Sequence, residues 1–281
     1  MTHHSAAKYL LVALTALPGM VQAQWIHIRL PGVPRTKDGE ADLSAPAPRT
    51  PDGKLDLSGI WQYAPGPRRP PAASSAAPQP AIAGTAVRRP SFDGLTNLLV
   101  KGDSIVLQPW AEALYKKRAA DNSAGLPSEH CLPHGPPEGY TIPIPFKIMQ
   151  TPREIAILFE EFNYYRQIFV DGRSHPKMLN PTWYGYSVGK WENDALVVDT
   201  IGFNDRTWLT ISGYPHSDAL HTVERITRPD FGNLNVLMTI DDPKAYQHPF
   251  RILMHFKLLP DTELIEEICE NERDAVHMVG K

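Results

Sequence analysis

Residues 183–225 read WYGYSVGKWENDALVVDTIGFNDRTWLTISGYPHSDALHTVER, and this stretch decides the fold. Tyr184 to Trp191 and Ala195 to Ile201 are β-branched and aromatic runs, joined by Glu192-Asn193-Asp194. A short polar link of Asn and Asp between two such runs is the signature of a β-hairpin. The second half, from Gly202 to Arg225, crowds Asn204, Asp205, His216, Ser217, His221 and Glu224 into one long connection. The stretch therefore predicts scaffold followed by a polar cluster at the strand ends.

The same pattern extends in both directions. Phe146 to Thr151, Glu154 to Phe162 and Tyr165 to Val170 precede it. Leu220 to Thr227, Leu234 to Ile240, Phe250 to Leu258 and Glu263 to Cys269 follow it. Links such as Asp171-Gly172, Pro229-Asp230-Phe231-Gly232 and Leu259-Pro260-Asp261-Thr262 carry the residues that tight turns require. Nine strands with hairpin links predict an all-β antiparallel meander, since parallel neighbours need crossovers of about a dozen residues. A meander of this size curls and closes, which removes its exposed edges. A β-sandwich is the second choice, but its Greek-key links are longer. One short helix is expected over Trp110 to Asp121, where WAEALYKKRAAD follows Pro109 at the helix start.

Ahead of the strands, Lys8, an apolar run from Tyr9 to Leu17, and Val21-Gln22-Ala23 form a signal-peptide pattern over 1–23. That run is far shorter than the roughly 20 residues needed to span a bilayer. Residues 24–100 read as a proline-rich N-terminal arm and linker, and 101–281 as the barrel-like domain. The arm holds a repeat, PRTKDG leading to Asp42-Leu43-Ser44 and PRTPDG leading to Asp56-Leu57-Ser58, with Leu57, Ile60 and Trp61 as its expected anchor. A periplasmic or secreted location follows. There Cys131 and Cys269, 138 residues apart, are expected to form a disulfide.

The formal charge of −3, which becomes −4 once Lys8 is removed with the signal, argues against nucleic acid as a partner. No segment has the length for a membrane span. His130 and His134 have ligand-like spacing, but Pro133 opposes a helix between them. His175, His216 and His221 could share a metal only if their loops converge. No metal or cofactor is expected.

Leu57-Ser58-Gly59-Ile60-Trp61 and Gly189-Lys190-Trp191 carry the Gly-x-Trp pattern that opens strands in lipocalin-like (calycin) barrels. The segments PRTPDGKLDLSGIW, GYSVGKWENDALVVDTIGFND and PHSDALHTVER also resemble a group of secreted bacterial proteins without an assigned role. The resemblance implies an exported, lipocalin-like barrel and brings no catalytic residue with it.

Two functions follow as expectations. One is binding of a small, partly apolar organic molecule in a barrel cavity, with Tyr184, Tyr186, Trp191, Asn204 and His175 as contacts. The other is an enzyme on the same scaffold, a lyase, isomerase or hydrolase. It would use His216 with Asp205, or His221 with Glu224, as acid–base groups, because a histidine oriented by a carboxylate is the commonest base near neutral pH. Strand alternation weakens the second pair, since His221 and Glu224 fall on opposite faces. The sequence disfavours a serine hydrolase: Gly185-Tyr186-Ser187-Val188-Gly189 mimics a nucleophile elbow but runs on as strand. A third option is an interaction protein tethered by its proline-rich region.

Overall fold

A computed structural model describes residues 28–65, 94–121 and 123–269. The signal-like segment, most of the proline-rich linker and the last twelve positions lie outside the described residues. Nine strands hydrogen-bond in chain order and close into a barrel. They are β1 (Gly59–Tyr63), β2 (Phe146–Gln150), β3 (Glu154–Phe159), β4 (Tyr165–Phe169), β5 (Tyr186–Glu192), β6 (Ala195–Ile201), β7 (His221–Asp230), β8 (Asn233–Asp241) and β9 (Phe250–Leu258). Closure comes from β1, which pairs antiparallel with both β2 and β9.

Two expectations change here. The strand expected over Glu263 to Cys269 is a single bridge, Glu161 to Glu267, because β1 already occupies the free edge of β9. The ninth strand comes instead from the segment assigned to the arm. The meander is also not wholly antiparallel, because β4 and β5 run parallel. Parity requires it: nine strands closed in a ring cannot all alternate in direction, so at least one neighbouring pair must agree. The connection 170–185 is long enough to return the chain to the starting end, and it is there that the parallel pair falls.

Alternation packs the interior. In β8 and β9 the inward set is Leu234, Val236, Met238, Ile240, Phe250, Ile252, Met254 and Phe256, all buried. Each such side chain contributes about 1.5–3 kcal/mol of burial. Trp61 is fully buried beneath them, its indole N–H donating to the Leu57 carbonyl at 3.0 Å.

The barrel ends are closed differently. At the end where β1 begins, the arm repeat forms two equivalent small turns, bridged at Arg35–Ala41 and Arg49–Leu55. Arg35 clasps Asp261 beyond β9, and Arg49 clasps Asp194 in the β5–β6 turn. Arg228 pins the arm from inside, donating to the carbonyls of Asp56, Ser58 and Phe231.

At the opposite end sit α1 (Leu95–Leu98), α2 (Pro109–Ala120), a 3-10 turn (Pro127–His130) and α3 (Glu138–Thr141). The single helix expected becomes the longest of several. Tyr115 of α2 stacks on Tyr214 at 4.4 Å, and Arg118 lies 4.1 Å over Trp208, fastening α2 to the β6–β7 loop. Cys131 and Cys269 are joined as a disulfide. No helix among the described residues is long and apolar enough to cross a membrane.

Candidate functional site: an aromatic slit at the parallel seam

The parallel seam is the weakest part of the barrel wall. β4 and β5 pair only at Ile168–Ser187 and Phe169–Val188. Toward the α3 end the two strands diverge and leave a slit of about 310 Å3. Six aromatic side chains line it: Tyr164, Tyr165, Phe169, Trp183, Tyr184 and Tyr186. Gly185 sets the divergence at φ +67°, where an added Cβ would meet the Ile201 carbonyl oxygen at 2.8 Å. This residue breaks the strand alternation, so Tyr184 and Tyr186 do not share a strand face as expected. Tyr184 turns in and stacks on Phe159 at 5.0 Å, while Tyr186 turns out, yet both line the slit.

Arg166 and Ser187 form its floor. Behind them, at the barrel axis, Arg166 donates Nη1 to Glu224 Oε1 at 3.0 Å and Nη2 to Glu224 Oε2. Nη1 also reaches the Tyr140 hydroxyl, Nη2 reaches Thr200, and both Nε and Nη2 reach Ser187. Arg166 and Glu224 are 1% and 0% exposed. Burial opposes the guanidinium charge, but Glu224 and Tyr140 outweigh it and keep Arg166 firmly protonated. Glu224, expected as a partner of His221, thus serves the interior.

On the outer wall beside the slit, Asp199 of β6 accepts from two histidines. His175 Nε2 lies 2.7 Å from Oδ1, and His221 Nε2 lies 3.0 Å from Oδ2. Burial works against the carboxylate charge, but the His221 and His175 hydrogen bonds prevail and hold its pKa below the ordinary value. His175 packs edge-on to Tyr186 at 6.0 Å, and Arg173 lies over Phe169 and donates to the Tyr186 hydroxyl. The cluster therefore touches the slit lining through Tyr186. Nothing local marked Asp199 in the run ALVVDTI; only the β5–β6–β7 register brings it between the histidines.

The expected pair of His216 and Asp205 does not form. Asp205 is exposed, whereas His216 is buried, its Nδ1 donating to the Ser217 carbonyl at 3.0 Å and its Nε2 accepting from Thr207 at 2.6 Å. Burial lowers its pKa, and this bonding fixes a neutral ring. Asn204 caps a turn, its side-chain oxygen accepting the Arg206 N–H. Trp191 lies at the opposite end from the slit, against Thr50, Pro51 and Gln150 of the arm contact. It cannot share a pocket wall with Tyr186.

Sequence reading missed a triad of His134, Glu138 and Glu161, the first two buried. His134 Nε2 meets Glu161 at 2.9 Å, and Nδ1 faces Glu138 at 3.2 Å, an ion-pair distance outside hydrogen-bond geometry. Burial opposes charge on His134, but the two carboxylates prevail and push its pKa up to about 10. The i, i+4 spacing of His134 and Glu138 was the available signal. Among the described residues no group of three or more His, Cys, Asp and Glu side chains could hold a metal ion. Compared with protein families, curated proteins and solved structures, the chain matches none.

Proposed function

We propose that this protein binds a small, partly apolar organic molecule in the slit between β4 and β5, outside the cytoplasm. The observation that carries the reading is the ring of six aromatic side chains around about 310 Å3 at the splayed seam of the closed barrel. This volume falls within the range of small-molecule sites, roughly 300–1,000 Å3. The likeness to lipocalin-like secreted proteins supports a binding role. The ligand, however, is placed in the wall, because core side chains and the Arg166–Glu224 pair fill the axis. The signal-like N-terminus and the disulfide support export. Tryptophan fluorescence during titration with a small-molecule library tests the reading. Quenching that saturates in the wild type and disappears in Trp183→Phe supports it; quenching indifferent to residue 183 contradicts it.

A second reading is favoured by the carboxylate shared between His175 and His221 beside Tyr186. Asp199 orients both rings, which suits acid–base chemistry on a slit ligand that projects past Tyr186. Mass spectrometry of an identified ligand after incubation decides it. Conversion by the wild type and not by His221→Gln supports an enzyme, whereas unchanged ligand leaves a binding protein.

A further inference from the structure

We propose that the ligand of the slit is a neutral sugar of mono- to disaccharide size, an inference that rests on the binding role given to the slit above.

Charge narrows the class. Among the described residues Arg166 is the only charged side chain lining the slit, and Glu224 neutralises it. Its N–H groups are already engaged by Glu224, Tyr140, Ser187 and Thr200. At the rim, Arg173 is held by Asp171 through two hydrogen bonds. A carboxylate or phosphate entering the slit would lose hydration and find no free counter-charge.

The hydroxyl inventory narrows it further. Tyr164 is committed to the Cys131 carbonyl at 2.7 Å. Tyr186 accepts from Arg173 at 3.4 Å and keeps its own proton to donate. The Tyr165 hydroxyl makes no hydrogen bond to the described residues, whereas the Tyr184 hydroxyl turns inward, 3.0 Å from where a Cβ on Gly139 would sit. Two phenols, Tyr165 and Tyr186, are therefore able to donate around flat aromatic faces. An alkyl chain would leave these groups unpaired, at a cost of about 1–3 kcal/mol for each one it desolvates. A pyranose ring presents apolar C–H faces to the rings and a rim of hydroxyls to the phenols, so it satisfies both.

Access points the same way. Tyr165 is 64% exposed, so the slit is open along one side. An aliphatic ligand would stay half-hydrated there, whereas a sugar keeps its outer hydroxyls in water.

The test is calorimetric titration of the whole mature protein. The probes are a broad panel of neutral mono- and oligosaccharides, the matching uronic acids, and palmitate. Tyr165→Ala is the main variant, because an exposed ring can be removed without emptying the core. Circular dichroism melting confirms that it folds. The expected result is saturable binding of a neutral sugar, about three- to ten-fold weaker in Tyr165→Ala as one aromatic contact is lost. The corresponding uronic acid should bind at least about ten-fold more weakly than its neutral counterpart. If palmitate or a uronic acid binds with the same sensitivity to Tyr165 and no neutral sugar does, the sugar class is overturned and the slit reading stands. If nothing in the panel binds in a manner sensitive to Tyr165→Ala, both fall.

Discussion

Glu224→Leu is the perturbation whose cost can be worked out most fully. Arg166 and Glu224 are joined by two hydrogen bonds at the barrel axis, with their side chains 1% and 0% exposed. Removing the carboxylate strands a guanidinium that burial already disfavours, a loss of about 3–5 kcal/mol. Arg166→Met strands Glu224 and should cost a similar amount. The double variant Arg166→Met/Glu224→Leu removes both charges. Ser187 and Thr200 keep each other at 3.0 Å, so Tyr140 is the hydroxyl left without its partner. The double variant should then lie only about 1–3 kcal/mol below the wild type. The non-additivity is accordingly about 3 kcal/mol or more, the upper end for coupled neighbours. Urea unfolding with the disulfide intact reads this directly. For a slope of about 2–3 kcal/mol/M, the Glu224→Leu midpoint falls by roughly 1–2 M. A loss below about 1 kcal/mol, or additive single effects, would refute the reasoning.

Other expectations follow from the same structure. Replacing Cys131 and Cys269 by serine should lower stability by up to about 4–5 kcal/mol, as expected for a 138-residue loop, and differential scanning calorimetry should show it. His216 has a folded pKa below its unfolded one, so the unfolded chain takes up the extra proton in acid; stability should fall as pH drops below about 6.5. That part of the slope should be missing in His216→Gln. Asp199→Asn releases His175 and should speed hydrogen exchange in residues 171–185, with a global cost below about 1 kcal/mol because the partners are partly exposed. Acid should act similarly on the wild type: the depressed Asp199 pKa makes its contribution present above about pH 4 and lost as pH falls through the folded value.

Much of the scaffold was legible because it is local. The β5–β6 hairpin, the helix after Pro109 and the burial of Leu57 and Trp61 each follow from a short run of residues. That a closed ring of nine strands needs a parallel pair follows from parity, but 202–220 is as able to supply the crossover as 170–185, so its place was not legible. β1 was signalled only by the Gly-x-Trp resemblance at Gly59–Trp61: five residues at the edge of a proline-rich region carry no strand periodicity of their own, so the segment reads as part of the arm. The site was less legible because its pairings are set by register. Arg166 in TyrTyrArgGlnIlePhe reads as an ordinary polar position, and nothing nearby says that it faces Glu224, 58 residues on. His216 and Asp205 are close in sequence, but the β6–β7 loop buries the ring against Thr207 and turns the carboxylate to solvent.

The slit at the β4–β5 seam is the proposed place where this protein holds its ligand. A crystal structure of the protein, purified with whatever it carries and soaked with the tightest binder found, tests this placement. Ligand density between Tyr165, Trp183 and Tyr186, with the Arg166–Glu224 pair intact behind it, is the predicted result. Ligand density at the arm contact near Trp191 or along the barrel axis, with the slit empty, would contradict it.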